Sequence, residues 1–469
     1  PLSSFDSKRY SQIVNKPSKN VQIPYRIAKD NNNIYKVNNY FIKSHTSFNM
    51  AEFGFEGDVT GITEVQLTFI NKALEDRGLL DGQTKVFFEP VGVPGDNYVA
   101  DVKRITVESD NGKVSIIAKI APTDEMLRTN MNTSIMFKNE HIMYTEVLPK
   151  FTQMEKAADV PEDQRLRYAE CYGSFTEHPN EVILLEDLKV SDFTMLDRFK
   201  SLSDACVKSV LKNFATLHSL SYALKKQEPG TFTNLTKDFV DIWTHSAEME
   251  ESKMFFQHLE NNVIQVLDNE EHKNIVRHKV CHITDIALKL AKVDGGSKHS
   301  VIQQGDSWTN NIMFKIEDNN NVESIMIDYQ ISRESNPSAD LLYMIFNCTN
   351  HETRTKHLHD WIDYYHTELD KALSNFGLKA NFIYPRDQLD ADLKRYGKLA
   401  FGLSVVLAAI LTRKSEDSFK VQHATEQGNG DLEQTTDAMQ INSMDDETLV
   451  RFKDRVVGLV KSFVEFGLL

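Results

Sequence analysis

The stretch that most restricts this chain runs from Val301 to Gln330, because two apolar arms of equal length there flank a polar turn. From Asn311 the chain leads through Ile312 to Ile316, turns through Glu317 to Val322, and returns through Glu323 to Ile327 before reaching Asp328. Apolar runs on either side of a polar, Asn-rich turn read as a β-hairpin. At a rise of ~3.3 Å per residue in both arms, the return strand delivers Asp328 beside Asn311. Asp306 sits on the loop that enters the hairpin. Two carboxylates and one carboxamide are therefore expected to converge.

These residue types suit one kind of chemistry. A carboxylate at Asp306 can accept or orient the proton of an alcohol, while the amide oxygen of Asn311 and the carboxylate of Asp328 are hard ligands for Mg²⁺ on nucleotide phosphates. Asp306 and Asn311 alone are equally well explained by turn hydrogen bonds, which Asp and Asn commonly make. The Ile-Asp-Tyr-Gln segment at hairpin distance shifts the reading to phosphoryl transfer, since this order of Asp, Asn and Asp matches the layout of kinase active sites.

A chain of 469 residues with 41% hydrophobic residues can bury a core large enough for two lobes. Its longest apolar run, Leu399 to Thr412, is short for a bilayer and ends in Arg413 and Lys414, so it reads as a buried helix and no membrane span is expected. A formal charge of −15 argues against nucleic acid as a partner but leaves room for a local cationic pocket for ATP. The cysteines Cys171, Cys206, Cys281 and Cys348 are scattered, which suits a reducing cytoplasm. His278, Cys281 and His282 have metal-ligand types, but their surroundings read as a helix with no second ligand group at a familiar spacing, and they are taken as structural.

Along the chain, residues 1–49 are basic and rich in Asn and Ser, and are expected to be a disordered or upstream extension outside the fold. Residues 50–188 are assigned to an N-terminal lobe and hinge, and 189–469 to a helical C-terminal lobe. A helix is predicted over 62–80, followed by strands at 102–107 and 114–120 joined by Ser109-Asp110-Asn111-Gly112, a turn whose Asn-Gly pair tolerates positive φ. That hairpin puts Lys119 late on its second strand, where Glu140 on the next helix can pair with it and its ammonium group can meet phosphate. The turn containing Gly95, Asp96 and Asn97 can cover a nucleotide with backbone amides. The apolar strand Glu181 to Leu188 ends the mixed region as a hinge, and main-chain groups of Glu186, Asp187 and Leu188 are candidates for the adenine edge.

From Asp204 onward the spacing is helical, with Ser203 as N-cap and His218 read as a packed, hydrogen-bonded histidine. Trp243, Met254, Phe255 and Phe256 are assigned to the core, with a substrate pocket as the alternative. Asp340 is expected to brace the 305–311 loop through its backbone. Residues 414–443 read as a mobile polar loop, and a last helix is predicted to begin near Ser443 and to end at Gly467.

Taken in order, Gly-Asp-Asn-Tyr at 95–98, Ala-Lys-Ile-Ala-Pro at 118–122, Phe-Lys-Asn-Glu at 137–140 and Leu-Glu-Asp-Leu at 185–188 form the first half of a pattern. Leu-His-Ser at 217–219, Gly-Asp-Ser-Trp-Thr-Asn-Asn-Ile-Met-Phe at 305–314, Ile-Asp-Tyr-Gln at 327–330 and Asp-Leu-Leu-Tyr at 340–343 complete it. With these motifs the chain resembles the ecdysteroid-kinase-like family, a branch of the choline-kinase and aminoglycoside-phosphotransferase group. The resemblance implies an α+β, protein-kinase-like fold of two lobes, a small β-rich one and a larger helical one. It also implies ATP-dependent phosphorylation of a hydroxyl on a small molecule, with ecdysteroids or other hydroxylated xenobiotics as candidate acceptors.

By the same resemblance Asp306 is the catalytic base, Asn311 and Asp328 hold Mg²⁺, Lys119 contacts phosphate, and Glu140 positions that lysine. One departure is Gln304, where the family usually has His as an orienting hydrogen-bonder; Tyr329 for the usual Phe is a milder one. Gln304 is the sole support for the competing reading, a nucleotide-binding pseudokinase scaffold. The absence of an Ala-Pro-Glu activation segment argues against a protein kinase.

Overall fold

A computed structural model of the chain describes residues 55–81, 83–92, 100–110, 112–247, 249–317, 321–414 and 444–469, with Glu251 in its backbone only. The expected extension at 1–49, the turn residues Gly95, Asp96 and Asn97, and nearly all of the expected loop at 414–443 fall outside the described residues.

The first part is a six-stranded mixed sheet. Its strands are β1 (Phe55–Gly57), β2 (Lys85–Pro90), β3 (Asp101–Ser109), β4 (Gly112–Ile120), β5 (Cys171–Phe175) and β6 (Val182–Glu186), in the spatial order β1-β2-β3-β4-β6-β5. The β3–β4 register pairs Ser109 with Gly112 and Val102 with Lys119, and β6 sets Ile183 opposite Lys119 on the other side. Alternation along β4 buries Ile116, Ala118 and Ile120 on one face, which directs Lys119 to the other.

Helix α1 (Glu64–Asp76) starts with a capping box between Thr63 and Gln66. It stops before the residue 80 expected from apolar spacing, because Gly78 adopts φ +66 and Leu79 N–H turns back to Leu74 O at 3.0 Å. Between β4 and β5 lie α2 (Glu125–Asn130), α3 (Thr133–Ile142), a π-helical turn at Met143–Val147 and α4 (Leu148–Ala157).

After β6 and the short β7 (Thr194–Met195) the chain becomes mainly helical: α5 (Asp204–Gln227), α6 (Pro229–Thr236), α7 (Ile242–Ser246), α8 (Glu250–Val266), α9 (Glu270–Val276) and α10 (Ile283–Asp294). Two small sheets follow, β8 (Val301–Gln303) with β11 (Arg333–Ser335), and β9 (Ile312–Ile316) with β10 (Val322–Met326) and β7. Helices α11 (Pro337–Cys348), α12 (His351–Ser374), α13 (Ala380–Ile383), α14 (Arg386–Leu411) and α15 (Asp446–Glu465) complete the chain. This is the α+β arrangement expected from the motifs, a smaller sheet-rich part followed by a larger helical one.

Ser203 caps α5 as expected, its hydroxyl accepting from Cys206 N–H at 3.3 Å. The last helix is capped by Asp445, two residues beyond Ser443, because its carboxylate accepts from Thr448 N–H at 2.7 Å. Gly467 ends that helix at φ +61. The core of the helical part joins α5, α11, α12, α14 and α15 around Trp361, Phe346, Phe401 and Phe463. Phe256 belongs to it, whereas Met254 is exposed and not the core residue expected. Among the described residues no helix is long and apolar enough to cross a membrane, and all four cysteines are free thiols.

The helix expected through His278–His282 is absent. Those residues form a turn between α9 and α10, since His278 takes φ +62 and the Glu260 carboxylate accepts the backbone N–H groups of residues 278 to 281.

Candidate active site

The β9–β10 hairpin closes with Ile312 opposite Met326, and Ile327 N–H donates to Asn311 O at 3.0 Å, so Asp328 emerges next to Asn311. Upstream, β8 leads into Gly305 at φ +88, where a Cβ would sit 2.6 Å from Ile331 O. Only glycine fits that approach. The turn carries Asp306 into the interior, where it is 7% exposed.

Three groups hold the Asp306 carboxylate. Asn311 Nδ2 donates to its Oδ2 at 2.9 Å and to its backbone O at 2.9 Å, and Tyr343 Oη donates to its Oδ1 at 2.7 Å. Burial, reinforced by the negative charge of Asp328, pushes the Asp306 carboxyl up to about 7 against the hydrogen bonds from Tyr343, Gln330 and Asn311. A carboxylate has about four lone-pair sites, so these three side-chain donors leave room for one further partner. With the Asn311 amide nitrogen committed to Asp306, no donor among the described residues reaches Asn311 Oδ1.

The loop is braced from behind. Asp340, fully buried near the start of α11, accepts from Gly305 N–H at 2.8 Å, Gln304 N–H at 3.0 Å, Gln303 Nε2 at 3.2 Å and His218 Nε2 at 3.1 Å. His218 also contacts Tyr365 Oη at 2.9 Å, so it is the packed histidine that was expected.

Gln304 spans the gap between loop and hairpin. Its Nε2 donates to Ile327 O at 2.9 Å and Asp328 O at 2.8 Å, and its Oε1 accepts from Asp306 N–H and Ser307 Oγ, both at 2.6 Å. An amide thus holds the segments on which Asp306 and Asp328 ride, and it does so with both of its polar ends. Gln304→Ala is expected to cost about 1–3 kcal/mol of stability by leaving these buried groups unpaired. Urea unfolding checks this, and an unchanged midpoint would remove the bridging role.

Opposite the hairpin, Lys119 Nζ lies 2.9 Å from Asp328 Oδ1 and forms a tight ion pair with Glu140, which is 1% exposed on α3. Burial lowers the Lys119 pKa, but the Asp328 and Glu140 carboxylates outweigh it and raise the value, so the ammonium stays charged. Burial drives the Glu140 carboxyl upward against the pull of Lys119. Asn139 ties the same helix to the exit of the hairpin, donating to Gln330 O at 3.2 Å.

Lys119, Asp306, Asn311 and Asp328 all line one cavity of about 650 Å³, together with Glu186, Asp187 and Leu188 at another edge. The hinge residues are partly committed already. Glu186 N–H donates to Glu170 O at 2.8 Å, Asp187 O accepts from Val190 N–H at 3.0 Å, and the Asp187 carboxylate binds Arg104 Nε at 2.6 Å and Ser115 Oγ at 2.7 Å. Trp243 and Phe255 pack against the core, as assigned from sequence, and also form part of the cavity wall, the alternative that the sequence offered. With Leu259 of α8 and Leu403, Val406 and Leu407 of α14 they make that wall apolar.

Sequence reasoning missed Tyr343. Its signal was the i, i+3 spacing from Asp340, which puts the two side chains on one face of α11.

No curated protein matches the chain significantly. Among solved structures, an ethanolamine kinase from Plasmodium vivax aligns over 80% of this chain and 90% of its own at 13% identity, with a TM-score of 0.38. The GDP complex of wild-type aminoglycoside 2'-phosphotransferase-IIIa aligns over 81% and 99% at 10% identity and a TM-score of 0.36. Aminoglycoside phosphotransferase APH(3'')-Id from Streptomyces rimosus, in complex with ADP and streptomycin, aligns over 71% and 98% at 14% identity and a TM-score of 0.28. The sequence profile of the ecdysteroid kinase-like family matches residues 94–378, more than half of the 469 residues. The chain belongs to the ecdysteroid kinase-like family.

Proposed function

We propose that this protein transfers the γ-phosphoryl group of ATP to a hydroxyl of a small, largely apolar alcohol of the ecdysteroid type, in the cytoplasm. The observation that carries the reading is the convergence on one cavity of a charged lysine, a buried carboxyl raised to about 7 and two hard oxygen donors from separate elements. The apolar wall from α8 and α14 supports an acceptor with a hydrophobic body.

In this reading Asp306 accepts the proton as the acceptor oxygen forms its bond to the γ-phosphorus, and the bond from that phosphorus to the β,γ-bridging oxygen breaks to release ADP. Lys119, held by Glu140, meets phosphate oxygens, and main-chain groups of Glu186 to Leu188 face the adenine. Asn311 Oδ1 and the Asp328 carboxylate are hard donors that fit Mg²⁺, which when bound neutralises charge on the phosphates. Tyr343 and Asn311 keep the Asp306 carboxylate oriented, and the buried loop limits water around it.

The direct test is incubation with Mg-ATP and a panel of sterols and polar alcohols, followed by mass spectrometry for a product one phosphate heavier. Nucleotide binding without transfer across the panel would favour a scaffold instead. A second test uses pH. Because the Asp306 carboxyl is raised to about 7, the base is protonated and inactive below that pH and ionised above it. Accordingly kcat/KM for ATP should rise about tenfold per pH unit on the acid side and level off above about pH 7. A flat profile between about pH 5.5 and 8.5 would show that this carboxyl does not act as the base.

A further inference from the structure

We propose that His278, Cys281 and His282 form a second cation site, for a borderline transition metal of the Zn²⁺ class, on the turn between α9 and α10. One ring nitrogen from each histidine and the cysteine sulfur all lie within 4.8 Å of one another. A tetrahedral zinc centre with Zn–S of about 2.3 Å and Zn–N of about 2.0–2.1 Å places its ligand atoms about 3.3–3.7 Å apart, so closure needs movements on the order of 1 Å. Both histidines are exposed and Cys281 is partly so; side-chain rotation supplies that movement, and solvent supplies the path of entry.

The backbone that presents these donors is already fixed. Glu260 of α8, 6% exposed, accepts from His278 N–H at 2.9 Å with Oε1, and from the N–H groups of Lys279, Val280 and Cys281 at 3.0, 2.9 and 3.0 Å with Oε2. This carboxylate holds His278 in a left-handed conformation that costs a non-glycine residue of order 1 kcal/mol or more. Val280 and Ile283 are fully buried beneath the turn. Gly402 of α14 packs so closely that a Cβ there would stand 3.0 Å from Lys279 O and 2.6 Å from Ile283 Cγ1. Asp285 Oδ2, 3.3 Å from His282 Nδ1, supplies the carboxylate–imidazole contact that orients metal-binding histidines.

The donor chemistry separates this site from the cleft. Two imidazoles and a thiolate select borderline-to-soft cations, whereas Asn311 and Asp328 offer only hard oxygen. None of the three residues lines the cavity, but the same α8 carries Phe255 and Leu259 into its wall, and α14 carries Leu403. A cation here would tie down the corner that supports this wall, with the Cys281 thiol releasing its proton to solvent on binding.

The test is titration of the full-length, reduced, metal-free protein with Co²⁺, read by absorption. One equivalent should produce a thiolate-to-cobalt charge-transfer band and the strong visible bands of tetrahedral cobalt, both abolished by added Zn²⁺ and unaffected by excess Mg²⁺. Cys281→Ser should lose the charge-transfer band, and His282→Ala should bind cobalt at least about tenfold more weakly. Circular dichroism of both variants should match the parent. No charge-transfer band, a band that survives Cys281→Ser, or undiminished affinity in His282→Ala would each overturn the proposal.

Discussion

Asp306→Asn should lower kcat for phosphoryl transfer by about 10²–10⁴-fold while nucleotide affinity stays within a few-fold of the parent. The substitution keeps an oxygen for Tyr343, whose hydroxyl now lies 2.7 Å from Oδ1, but it removes the group able to take up a proton. A thousandfold loss corresponds to about 4 kcal/mol of transition-state stabilisation. Steady-state kinetics with a responsive acceptor, paired with calorimetric titration of nucleotide, separates the two quantities. Parent-like turnover in Asp306→Asn would end the assignment of this side chain as the base, and with it the proposed proton path.

Asp340→Ala should be the most destabilising substitution near the site, by about 3–5 kcal/mol. The carboxylate is fully buried and satisfies two backbone N–H groups of the 303–311 loop, the Gln303 amide and the His218 ring. Alanine would leave all four without an acceptor, and buried donors without partners carry the full cost of their desolvation. Denaturant unfolding should show the shift, and residual folded protein should have a reduced kcat because the turn at Gly305 that aims Asp306 loses its anchor. An unfolding midpoint within about 0.5 kcal/mol of the parent would mean that the loop is held by the hairpin and Gln304 alone.

What was legible from residues was local. Equal hairpin arms put Asp328 beside Asn311, and the ladder that pairs Ile312 with Met326 is the direct result of that equality. The Asn-Gly signal predicted a hairpin between two strands, and the register that pairs Ser109 with Gly112 sets the phase of alternation that turns Lys119 away from the buried face. Helix ends were less legible, because a left-handed glycine at 78 and a carboxylate at 445 outweighed the apolar spacing around them. The turn at His278–His282 failed for a related reason. Its conformation is imposed by Glu260, a residue 18 positions earlier, and the helical pattern of the segment itself contains no sign of it.

The sequence by itself determined the hairpin, the residue types gathered on it and the family to which the chain belongs, because strand periodicity, turn chemistry and ordered motifs are properties of neighbouring residues. Tertiary structure alone decided that Lys119 meets Asp328 across 209 residues, that Tyr343 donates to Asp306 across 37, and that Trp243 and Phe255 line a cavity while they pack on the core. Those contacts depend on how the sheet and the helices pack together. Burial then raises the Asp306 carboxyl to about 7 and brings the lysine between two carboxylates, effects that no spacing along the chain encodes.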